Sequence, residues 1–146
     1  MPETFASAVI PAPVTTVWRV VRDFGGLAAW QPAVADCSLT DAEAPDRVGC
    51  VRTLSMADGE TVVESLLALD DHTRSLTYGI VSSPYPVHSY RATMRVIPIT
   101  ATDETFIHWS VTFDCDRADT DELAETFRTG IFTAGLHGLA GHCHAR

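Results

Sequence analysis

Between Gly59 and Val96 the chain reads GETVVESLLALDDHTRSLTYGIVSSPYPVHSYRATMRV, an alternation of period two interrupted by turn-forming residues. Residues of one parity in a strand line one face, so this stretch predicts three antiparallel strands with one buried side. The alternation is impure in an informative way. Glu64 shares parity with Val62, Leu66 and Ala68, Tyr78 with Leu76 and Ile80, and Tyr90 with Ala92, Met94 and Val96, while Ser89, Arg91, Thr93 and Arg95 take the opposite face. A carboxylate on an apolar face needs a partner or a wet cavity, because burying it unpaired is costly. The apolar face of this sheet therefore reads as the wall of a cavity.

Composition narrows what the cavity can do. With 146 residues, 46% hydrophobic and 20% charged, the chain suits a single globular domain, 1–146, with a real core. The formal charge of −9 gives no clustered positive footprint for nucleic acid. There is no lysine, so no side-chain amine exists to form an imine with a carbonyl substrate. Cys37, Cys50, Cys115 and Cys143 are spread without a CxxC pair, and no basic region followed by a long apolar run opens the chain. A reduced, cytoplasmic protein with four free thiols is expected, and no run of about eighteen apolar residues is present to span a membrane.

The flanking segments complete the pattern. Thr4 to Ile10 reads as a first strand, Pro11-Ala12-Pro13 breaks it, and Val14, Val17, Trp18, Val21 and Phe24 recur at helical steps until Gly25-Gly26. Leu27 to Trp30 reads as a second short helix. Strands at Val34 to Thr40 and Val48 to Met56 follow, separated by the acidic loop Asp41 to Asp46, and Asp58-Gly59 is a hairpin signal. A seventh strand directs Trp109 to the apolar side. Asp119 to Glu122 resembles a capping box, after which Leu123, Phe127, Ile131, Gly135 and Leu139 step by four along a final helix from Thr120 to about His142. Gly130, Gly135, Gly138 and Gly141 each cost roughly 1 kcal/mol against alanine inside a helix, so either that helix frays after Leu136 or small residues make room for a ligand or a close strand.

One strand, two short helices, six strands and a long last helix is the order of the helix-grip fold. The segments VWRVVRDFGGLAAWQPAVADCSL, VGCVRTLSM and ESLLALDDHTRSLTYGIV, with the Tyr90 strand, resemble the START-like or SRPBCC superfamily, in particular its bacterial polyketide cyclase/dehydrase branch. They also follow the abscisic-acid receptors element by element. The resemblance implies an α+β fold in which a seven-stranded antiparallel sheet wraps around the C-terminal helix. It puts Arg52, Glu64, Tyr90, Trp109, Phe127, Ile131 and Gly135 on the cavity side. The receptors' ligand-carboxylate lysine falls at Ala35, their gate at Met56 to Glu60 and their latch at Tyr85-Pro86-Val87, none of which matches, so hormone sensing is not expected.

Candidate chemistry follows from these positions. Arg52 and Glu64 share inward parity on adjacent strands and form either a structural ion pair or a proton-transfer centre, in which the carboxyl acts as base or acid and the guanidinium steadies developing charge. Tyr90, the third candidate catalytic group, and Tyr78 either hydrogen-bond a substrate carbonyl or satisfy their hydroxyls internally. Trp30, Leu66, Met94, Trp109, Phe127, Ile131 and Gly135 are expected to line the ligand space, with Trp18 left in the core. His88, at the mouth beside Tyr85, is a proton shuttle or a solvated loop histidine. His137, His142, Cys143 and His144 sit at a chain end without a matching cluster elsewhere, so no metal is expected. Two functions fit. One is a cofactor-independent cyclase or dehydratase acting on a hydrophobic oxygenated metabolite. The other is a carrier or sensor of an apolar molecule, and in either case the protein is a monomer or homodimer.

Overall fold

The computed structural model describes residues 1–40 and 44–144; residues 41–43 of the expected acidic loop lie outside the described residues. Strand β1 (Glu3–Ile10) leads to helix α1 (Val14–Val21), whose apolar steps bury Val17, Trp18 and Val21. Pro13 stands at the N-cap in extended conformation, one residue ahead of the first turn in which a proline was expected. The helix closes on Arg22, before the glycine pair, and Gly25-Gly26 instead lie inside a 3₁₀ helix, Phe24–Ala29, which replaces the expected element at Leu27 to Trp30. Space explains the shift. A Cβ on Gly25 would come 3.1 Å from the Leu39 side chain, so Gly25 lets this short helix lie against the next strand.

Strands β2 (Val34–Leu39), β3 (Val51–Met56), β4 (Thr61–Asp70), β5 (Ser75–Ser82), β6 (Val87–Ile99) and β7 (Glu104–Cys115) complete one seven-stranded sheet. Its order is β1-β7-β6-β5-β4-β3-β2, antiparallel at every step. Strand β3 starts later than Val48 because Gly49 takes a φ of 95°, a left-handed turn that favours glycine. The register pairs Arg52 with Glu64 across β3 and β4, and Met94 with Trp109 across β6 and β7.

The long C-terminal helix crosses the concave face of the sheet as a continuous run: α-helical at Thr120–Glu125, π-helical at Thr126–Thr133 and α-helical again at Ala134–His144. Phe127 meets Tyr90 and Phe113 edge to face, each at 5.1 Å, and Phe132 stacks on Trp109 at 4.6 Å. This is a helix-grip fold. Two details differ from expectation. Asp119 makes no side-chain hydrogen bond to the helix, since its backbone is already helical and a 3₁₀ turn, Arg117–Asp119, leads into it. The face stepping by four also slips in the π turns, where Phe127 and Phe132, five apart, are both fully buried and Ile131 is only half-buried.

Two of the four odd glycines have a cause. A Cβ on Gly135 would collide with the Gln31 amide and come 2.8 Å from the Trp109 ring. One on Gly138 would run into the Trp30 carbonyl and reach 2.9 Å from Pro32. The last helix lies directly on the Trp30-Gln31-Pro32 segment, and it continues to His144 rather than fraying after Leu136.

Candidate functional site

Between the sheet and the last helix lies a small cavity of about 30 Å³. Tyr78, Tyr90 and Trp109 from the sheet, Phe127 and Ile131 from the helix, and Glu64 all line it. Space of that size holds a water or two, so the aromatic side chains nearly fill their own pocket. Tyr85, from the loop before β6, packs edge-on against Phe127 at 5.2 Å and also lines the space. Burial raises the Tyr85 hydroxyl pKa, with the charges of Asp58 and Glu64 adding to it.

Glu64 is 6% exposed and Arg52 4%. Arg52 donates from Nε to Glu64 Oε1 at 2.8 Å, and its Nη2 lies 2.7 Å from the same oxygen. Its Nη1 donates to the Phe24 carbonyl at 3.0 Å. The guanidinium is 3.9 Å from the Phe24 ring centroid and 5.0 Å from that of Tyr78, so two aromatic faces flank the cation. Burial pushes the Glu64 pKa upward, against the opposing pull of Arg52. Arg52 stands behind Glu64 and does not line the cavity.

A second polar chain crosses the same wall. Trp109 Nε1 donates to the Tyr78 hydroxyl at 3.1 Å, and the Tyr78 ring is tilted against that of Tyr90 with centroids 6.3 Å apart. Burial raises both phenols above their ordinary range, so each stays protonated at neutral pH. Gln31, 2% exposed, lines the cavity from the opposite side. Its Nε2 donates to the Ile131 carbonyl at 3.0 Å and its Oε1 accepts from the Ala33 amide at 3.2 Å, which ties the π turns to the chain beside Trp30.

The other expected residues lie elsewhere. Leu66 and Met94 are buried in the core away from the cavity, and Gly135 faces Gln31 and Trp109 instead of open space. Trp30 packs on Trp109 at 5.9 Å without lining the cavity, and its buried Nε1 has no hydrogen-bond partner. His88 is not at the mouth. A register shift between Val87 and Ser89 breaks the parity on which that placement rested, and His88 is exposed, 2.9 Å from Asp116. Gln31 was not a candidate because it sits in a non-periodic loop between Trp30 and Pro32, where alternation carries no signal. Ala35, the position of the receptors' lysine in the resemblance, is exposed.

Among the described residues no three His, Cys, Asp or Glu side chains stand where they could hold a metal ion, and no helix is long and apolar enough to cross a membrane. Comparison with known proteins agrees with the geometry. The family model described as "Polyketide cyclase / dehydrase and lipid transport" matches residues 1–144. The abscisic acid receptor PYL7 of Arabidopsis thaliana is 27% identical over 137 residues, which cover 90% of this chain and 63% of the receptor. The chain thus spans less than two thirds of that relative's length. Among solved structures, XoxI from Bacillus cereus superposes with a TM-score of 0.86 at 30% identity, covering 97% of this chain and 94% of that one. A protein from Thermobifida fusca gives 0.88 at 30% identity, covering 99% and 95%.

Proposed function

This chain belongs to the polyketide cyclase / dehydrase and lipid transport family, and from that premise we propose that it is a small-molecule cavity enzyme working by proton transfer on a hydrophobic, oxygenated metabolite. One observation carries the proposal: a carboxyl group, Glu64, faces an otherwise largely apolar cavity while its partner cation stays outside. Both Arg52 contacts fall on Oε1, so Oε2 is the oxygen left for a substrate. In such surroundings a carboxylate is a stronger base than in water, because burial disfavours its charged form. It takes a proton from the carbon beside a substrate carbonyl, and the Tyr90 hydroxyl steadies the enolate oxygen that results. The aromatic walls hold the reacting carbon over Glu64, and cyclisation or loss of water follows from that enolate.

A carrier is the second reading. It is favoured by the hydroxyl of Tyr78, which already accepts from Trp109 Nε1 and so is partly committed before any substrate arrives. Native mass spectrometry of the protein purified from its source, followed by incubation with whatever small molecule it carries, separates the two. Under the enzyme reading the molecule is converted, and Glu64→Gln keeps binding while turnover falls by roughly 10²- to 10⁴-fold, the usual worth of general acid-base catalysis. Recovery of the molecule unchanged after prolonged incubation with wild-type protein makes the chain a carrier.

A further inference from the structure

The charge inventory of the cavity restricts what can occupy it. Among the described residues no arginine or histidine lines the space, and the chain has no lysine. The nearest cation, Arg52, is committed to Glu64 Oε1 and the Phe24 carbonyl and is enclosed between two aromatic rings. We infer that the site selects uncharged ligands bearing a hydroxyl that donates to Glu64, and that it excludes carboxylates. The inference rests on the cavity reading above and adds the class of ligand to it.

Each alternative charge state meets a specific obstacle. An anionic ligand would place a second negative charge beside Glu64, with no cation free to compensate and little water to screen it. An ammonium ligand would add a positive charge to a pair that Arg52 already balances. A purely apolar molecule would fit the walls but would cover Glu64 Oε2 without a donor, and a charged acceptor left unpaired is costly. A neutral hydroxyl avoids all three penalties. Its oxygen can in turn accept from Tyr85 or Tyr90, two of the three phenols that line the same space.

Equilibrium dialysis at neutral pH with 2-naphthol, naphthalene and 2-naphthoate tests this, because the three share one ring system and differ in the polar group. Expected is binding of 2-naphthol about tenfold tighter than naphthalene and at least a hundredfold tighter than 2-naphthoate. The same series on Glu64→Gln, with folding checked by thermal melting, should exchange the last two places: with the Arg52 charge no longer balanced, 2-naphthoate gains by more than its wild-type deficit and overtakes naphthalene. Where that variant does not fold, Arg52→Met/Glu64→Leu removes both charges and should bind naphthalene and 2-naphthol alike. Wild-type protein that takes 2-naphthoate as tightly as 2-naphthol, or naphthalene as tightly as 2-naphthol, overturns the inference while leaving an apolar cavity in place. Failure of all three to bind removes the cavity reading itself, and the inference with it.

Discussion

Removing the guanidinium at position 52 while leaving the carboxylate at 64 isolates the hardest constraint in the molecule. Arg52→Met leaves Glu64 buried without its partner, and a broken buried pair costs about 3–5 kcal/mol, measurable by urea denaturation. Replacing both groups by apolar side chains of similar volume should restore most of that loss, since the desolvation of both charges disappears together. The pH dependence has a definite sign. Glu64 has a folded-state pKa raised above the ordinary value of 4.5, so its contribution to stability is fully present below that value and is lost as pH rises through the folded midpoint. Carbon-13 titration of the Glu64 side chain should show a midpoint above 4.5, and base-catalysed turnover should appear as pH rises through it. These two residues were legible because parity in a strand is a strong signal and one register fixes both. His88 was misplaced by a single irregularity in the same kind of strand, and Gln31 could not be read because nothing local distinguishes a buried loop glutamine from an exposed one.

At the scale of one element, the last helix combines ordinary α turns with eight π residues, and its glycines separate by role. Gly135→Ala forces a methyl against Gln31 and Trp109 and should cost about 1–3 kcal/mol, the range for overpacking a filled interior. Gly141→Ala meets nothing within 4 Å and should stabilise by about 0.5–1 kcal/mol, the difference in helix propensity. Chemical denaturation of the pair checks both signs in one experiment. The existence and extent of this helix were evident from its apolar spacing. The π turns were not, because steps of four and five place nearly the same residues inward, and the choice between them rests on contacts such as Gln31 with the Ile131 carbonyl, which join residues far apart in the chain. The capping motif failed for a comparable reason: the chain was already turning before it reached Asp119.

For the whole molecule, the room left inside is smaller than any ligand of the proposed class, so binding requires the wall to give way. The π turns at Thr126–Thr133, the Tyr85 loop and the stretch from Leu27 to Ala33 are the parts of that wall not paired into the sheet, and hydrogen exchange in the first two should be faster than in β7 and should slow when 2-naphthol is bound. Exchange in those segments as slow as in β7 in the free protein would assign the widening to the sheet. The architecture was read correctly as a whole, because seven alternations and one long amphipathic stretch leave few ways to bury their apolar faces. The strand order carries a further consequence. The first strand to be synthesised closes the sheet against the last, and the second strand forms the opposite edge. A nascent chain leaving the ribosome therefore carries β1 unpaired while six more strands are translated, and assembly cannot finish until Glu104–Cys115 has emerged. Loop closure over so long a span is slow, so completion of the β1–β7 seam is expected to be a late event in folding, with an open strand edge exposed to aggregation until it forms.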